Sequence, residues 1–98
     1  MMLRIRVEEY PEATTLYVEG KLAGESVDEL CRVWTSKRNE APEKEMVVDL
    51  CSVRSVDSSG RKLLSQMHGW GTRLFGTGLC IGPLIEEITN TGSYSDPR

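Results

Sequence analysis

A change of hydrophobic period near the middle of the chain limits the possible folds more than any other feature. "MVVDL" (46–50) is a short, nearly continuous apolar run between polar segments. It reads as a central strand covered on both faces. From Ser58 the apolar residues recur every three or four positions instead. Leu63, Met67, Trp70 and Leu74 form one seam, with Leu64, Gly71 and Phe75 beside it. That spacing predicts a helix of about four turns reaching Phe75. A strand that hands over directly to a helix is the repeating unit of an α/β fold.

The flanking segments extend the pattern. "LRIRV" (3–7) places Leu3, Ile5 and Val7 on one face and Arg4 and Arg6 on the other, the period of a half-buried strand. "PEAT" is a turn signal, and "TLYVEGKL" (15–22) alternates again, so the two runs predict an antiparallel hairpin. After Gly24, Ser26 followed three residues later by Glu29 has the form of a capping box. Val27, Leu30, Cys31 and Trp34 then make one apolar helical stripe. The proline and charges of "NEAPEKE" (39–45) end that helix in a surface loop. "GTG" (76–78) stops the second helix, Leu79–Ile81 reads as a short strand, and Pro83 sits near the start of a third helix. The polar, turn-rich residues 89–98 read as a flexible C-terminal tail. The expectation is one domain over residues 1–88 with the order β-β-α-β-α-β-α. Its small mixed sheet is packed with helices, and its later connections are right-handed crossovers between parallel strands.

Composition narrows the function. The 98 residues carry 12 basic and 15 acidic side chains, a formal charge of -3. A mildly acidic chain without a basic cluster is not expected to bind nucleic acid. The start of the chain lacks the apolar core of a signal peptide, and no apolar run approaches the roughly 20 residues of a membrane span. A cytoplasmic protein without direct membrane insertion is therefore expected. Cys31, Cys51 and Cys80 are widely spaced among apolar neighbours and read as small buried hydrophobes, not metal ligands.

Catalysis is not expected either. His68, the only histidine, lies about two and a half turns beyond Ser59 on the same predicted helix, too far to act as its base. There is no G-x-S-x-G element and no glycine-rich phosphate loop. The chain reads as a non-enzyme without cofactor or metal.

The remaining candidate is "DSSG" (57–60), between the central strand and the second helix. Asp57 or Ser58 can accept the orphan amide hydrogens of the helix start. Ser59 then falls in the first turn, where the dipole and unpaired N–H groups favour an anion. Gly60 lowers helix propensity and calls for a reason, such as the close approach of another backbone, for instance that of a docked kinase. A phosphate on Ser59 adds about 1.5–2 negative charges, enough beside Asp57 to expel an acidic partner. On residue types and spacing alone, a plain helix cap is the favoured reading.

Element order and motifs together resemble the STAS domain, the fold shared by sulphate transporters and bacterial anti-sigma factor antagonists. The resemblance spans roughly Leu3 to Ile88. It rests on "VEGKLAG", "VVDLCSVRSVDSSG" and "GTGLCIGPLIEEI", with the D-S-S-G element after a V-V-D-L strand the most specific. It implies a regulatory protein–protein interaction domain, switched when a partner anti-sigma factor that is also a serine kinase phosphorylates Ser59. Asp57, Ser58, Gly60 and Asp49 are implied as its surroundings. Lys21, Arg61 and Lys62 are expected as partner contacts, the latter two meeting phosphate or an acidic partner surface, and the residues alone fit solvated side chains as well. The sequence departs from the family pattern in three places. Ala23 stands where good kinase substrates often carry an acid, Arg61 and Lys62 stand where small or apolar residues are common, and the C-terminal part is shortened. Two alternatives follow: a non-phosphorylated STAS adaptor subunit of a lipid-transport ATPase or signalling assembly, and a nucleotide- or anion-binding module. An incomplete sheet edge also makes a homodimer an expectation.

Overall fold

The computed structural model describes residues 3–76 and 81–94. Its elements run β1 (Leu3–Glu9), β2 (Ala13–Leu22), α1 (Glu25–Glu40), β3 (Glu45–Val56), α2 (Ser58–Gly69), β4 (Arg73–Phe75) and α3 (Ile81–Tyr94). The expected α/β order holds. The four strands lie in the order β1-β2-β3-β4, with β1 antiparallel to β2 and the other two pairs parallel.

Alternation along the strands decides what the sheet buries. Leu16, Val18 and Leu22 of β2 and Met46, Val48, Leu50 and Val53 of β3 face one side. There they meet Val27, Leu30 and Trp34 of α1, Leu63, Leu64 and Met67 of α2, and Ile81 and Ile88 of α3. The opposite face carries Arg4, Arg6, Tyr17, Glu19 and Asp49, none of them fully buried. The central strand is thus covered on one face, not two. Val47 and Asp49, the residues that made the run look continuous, lie on the open face.

β3 is longer than its apolar run because it bulges twice. Between the pairs Tyr17–Asp49 and Glu19–Ser52 it carries one residue more than β2, and it does so again between Gly20–Val53 and Lys21–Ser55. Each extra residue resets the alternation and bends the strand. The inward phase passes from Leu50 to Val53 without a break in the core.

Further expectations need correction. α1 has no side-chain cap: its N-cap is Gly24, at φ 59° and ψ -128°, and Ser26 lies inside the helix. The left-handed backbone of Gly24 suits glycine and sets the entry angle that a serine cap would otherwise define. Cys51 is exposed and Cys31 only half-buried, so neither is a fully buried hydrophobe; Cys80 lies outside the described residues.

α2 stops at Gly69, and Arg73–Phe75 form β4 beside Val47–Asp49. The helix closes through its backbone, the Gly71 amide donating to the His68 carbonyl at 3.0 Å and the Thr72 amide to the Met67 carbonyl at 2.9 Å. The indole N–H of Trp34 donates to Thr72 Oγ1 at 2.9 Å, both groups being buried. An unpaired indole N–H there would cost about 1–3 kcal/mol. That bond ties the turn after the helix to α1, and Gly71, at φ 89°, permits the turn. Of the strand expected at Leu79–Ile81, the first two residues lie outside the described residues and Ile81 begins α3. α3 continues past Ile88 to Tyr94.

Candidate functional site

The D-S-S-G turn sits where β3 leaves the sheet. Asp57, in extended backbone conformation, is the N-cap of α2, and its Oδ1 accepts the Gly60 amide at 2.8 Å. Its Oδ2 accepts the Gly24 amide at 3.0 Å. One carboxylate therefore joins two segments 33 residues apart, the β2–α1 turn and the β3–α2 turn. These two amide bonds, Gly60 first and Gly24 second, hold the Asp57 carboxyl below its ordinary carboxylate range.

The end of β2 completes the turn. The Leu22 carbonyl accepts the Asp57 amide at 3.1 Å. The same oxygen would lie 2.7 Å from a Cβ added at Gly60, with Val56 Cγ1 at 2.9 Å and Leu22 Cγ at 3.0 Å. The close backbone approach that Gly60 calls for thus comes from within the chain. It needs no docked partner to explain it.

Ser58 and Ser59 occupy the first two helical positions with both side chains exposed. The peptide amides around them run along the start of α2, where an added anion is favoured by the helix dipole. Asp57 supplies a fixed negative charge next to them. The geometry thus offers two accessible hydroxyls on a backbone held by a capped carboxylate, a glycine contact and the edge of a strand.

The other expected site residues divide. Lys21 lies opposite Ser55 in the β2–β3 register and is exposed at the same end of the sheet. Arg61 pairs with Glu87 of α3 at 2.5 Å, with both side chains about half exposed at 47% and 58%. Lys62 is exposed and has no ion pair among the described residues. Ala23 is in the β2–α1 turn, its carbonyl accepting the Ser26 amide at 3.1 Å. The position that departs from the family pattern is therefore spatially next to the D-S-S-G turn. Asp49 is not. It lies eight residues before Asp57, roughly 20–25 Å back along the strand, opposite Tyr17 on the open sheet face. Its Oδ1 accepts the Cys51 amide at 3.0 Å, the amide that the first bulge takes out of the ladder.

Gly24 and Glu87 belong to the site, and sequence reasoning missed both. The glycine pattern of "KLAGES" marks a break but names no partner for its amide, and Glu87 is one of two adjacent acids on α3. No metal-binding group of three or more His, Cys, Asp or Glu occurs among the described residues, and no helix among them is long and apolar enough to cross a membrane.

The sequence matches no established family profile. It also has no significant match among curated proteins. Solved structures do share its fold. An anti-sigma factor antagonist from Mycobacterium paratuberculosis superposes with a TM-score of 0.77 at 16% identity, over 94% of this chain and 82% of that one. The STAS domain of an anti-sigma factor antagonist from Rhodobacter sphaeroides gives 0.55 at 17% identity, over 79% and 87%. The anti-sigma factor antagonist SpoIIAA in its unphosphorylated form gives 0.53 at 15% identity, over 88% and 98%. The mixed four-stranded sheet with three helices is the STAS-like fold.

Proposed function

We propose that this chain is a regulatory interaction domain of the anti-sigma factor antagonist type, switched by phosphorylation of Ser59. The observation that carries the reading is the exposed Ser59 side chain on the first turn of α2, on a turn held in place by Asp57 and by the Leu22–Gly60 contact. A phosphate there gains from the helix dipole, so the modified domain stays folded. It also sets about two further negative charges beside Asp57 on an exposed surface, where an acidic partner is repelled. The partner is an anti-sigma factor with serine kinase activity. It contacts the D-S-S-G turn, the exposed cations Lys21 and Lys62, and the outer face of α2. The domain itself acts by binding and carries out no reaction.

A constitutive adaptor is the second reading, and a specific observation favours it. Asp57 and Gly60 both have complete structural roles, and Ala23 puts no acid at its own position in the neighbouring turn. Phosphate transfer from labelled ATP in an extract of the native cells separates the two. Under the switch, the parent chain and Ser58→Ala are labelled and Ser59→Ala is not. Equal labelling of the parent and Ser59→Ala, or none of either, supports the adaptor.

A further inference from the structure

The opposite end of the domain carries a feature that the Ser59 switch does not use. Arg38, near the end of α1, is stacked between two indoles. Its guanidinium carbon is 4.9 Å from the Trp34 ring centre and 4.4 Å from that of Trp70. Trp34 is buried at 4% exposure, whereas Trp70 is 67% exposed, the most exposed of the large hydrophobic side chains among the described residues. The neighbouring cations all have carboxylates. Lys37 pairs with Glu9 and Glu40, Lys44 with Glu9, and Arg73 with Glu45. Arg38 has none among the described residues; its guanidinium lies over the two rings instead.

Stacking fixes the plane of a guanidinium and leaves its N–H edge available for a planar, bidentate acceptor. Arg38, Lys44, Met46, Trp70 and Thr72, together with Glu45, whose carboxylate is paired with Arg73, line a cavity of about 180 Å³. That is smaller than the roughly 300–1,000 Å³ of small-molecule sites, and it suits a single side chain. An exposed tryptophan beside a rigid arginine is also the composition that dominates binding energy at protein interfaces.

We propose that this pocket docks a protein partner by taking an Asp or Glu side chain onto Arg38, with Trp70 covering the adjoining apolar surface. The site lies about 18 Å from the D-S-S-G turn, the length of α2. It is at the far end of that helix from the hydroxyls of Ser58 and Ser59. The proposal stands whether or not Ser59 is phosphorylated.

The test is photo-crosslinking of the full chain in its native cells, with benzoylphenylalanine at Gly69. That position neighbours Trp70, and an added Cβ there meets nothing within 4 Å. The expected result is a crosslink to one protein segment that contains Asp or Glu. Arg38→Glu should lower it about tenfold, and Ser59→Ala should leave it unchanged. Replacing the partner's acid by lysine should restore the crosslink to Arg38→Glu. That rescue separates recognition from misfolding, and urea midpoints of both variants provide a second check. No crosslink, a crosslink indifferent to Arg38→Glu, or failure of the charge-swapped pair overturns the proposal. So does saturable quenching of tryptophan fluorescence by free glutarate without any crosslink, which marks a small-ligand site instead.

Discussion

Gly60→Ala and Gly69→Ala make the same chemical change in one helix and should move stability in opposite directions. At Gly60 the new methyl group meets the Leu22 carbonyl at 2.7 Å, Val56 Cγ1 at 2.9 Å and Leu22 Cγ at 3.0 Å. Overpacking of this kind costs about 1–3 kcal/mol. The carbonyl cannot simply retreat, because it is in β2 and accepts the Asp57 amide. Losing that hydrogen bond adds about 0.5–1.5 kcal/mol. The better helix propensity of alanine returns about 1 kcal/mol. The expected net loss is about 2 kcal/mol, a fall in Tm of roughly 8–16 °C for a domain of this size. At Gly69 nothing lies within 4 Å, so only the propensity gain remains, up to about 1 kcal/mol. Urea unfolding followed by circular dichroism measures both. A Gly60→Ala variant as stable as the parent, or a shift of the same sign in the two variants, refutes the reasoning.

Two further consequences concern the contacts that shape the site and the helix end. Asp57 has its carboxyl lowered by the Gly60 and Gly24 amides, so its contribution is present above the ordinary carboxylate range and disappears as pH falls through the lowered value. The urea midpoint of Asp57→Asn should accordingly lie below the parent's at neutral pH and approach it in strong acid; a gap independent of pH contradicts the two amide bonds. Thr72→Val strands the buried Trp34 N–H and should cost about 1–3 kcal/mol with an unchanged denaturant slope, while Thr72→Ser keeps the acceptor and most of the stability.

Much of this fold is legible in the sequence because its elements obey local periodicity. The alternation of Leu3, Ile5 and Val7, the α1 stripe of Val27, Leu30 and Trp34, and the cap at Asp57 all follow from residue type and spacing. The errors arise where a tertiary contact overrides local pattern. Leu74 continues the helical seam in sequence, but the chain turns at Gly71, the Trp34–Thr72 bond holds that turn against α1, and Leu74 lies opposite Val48 in β4. Ser26 and Glu29 have the spacing of a capping box, yet the backbone of Gly24 places the helix start two residues earlier than that box requires. The site is half legible. The D-S-S-G turn announces itself, whereas its tie to Gly24 and the Leu22 contact join segments far apart in the chain and leave no local trace. Asp49 illustrates the reverse case: nearness in sequence to the turn does not bring it there, because an extended strand carries it away.

The most direct test of the switch is mass spectrometry of the protein from its native cells under several growth conditions. Cleavage after Arg54 and Arg61 releases residues 55–61, and fragmentation distinguishes Ser58 from Ser59. The account predicts phosphate on Ser59 in a fraction that changes with conditions. A peptide that stays unmodified throughout, or one phosphorylated on Ser58 alone, contradicts it.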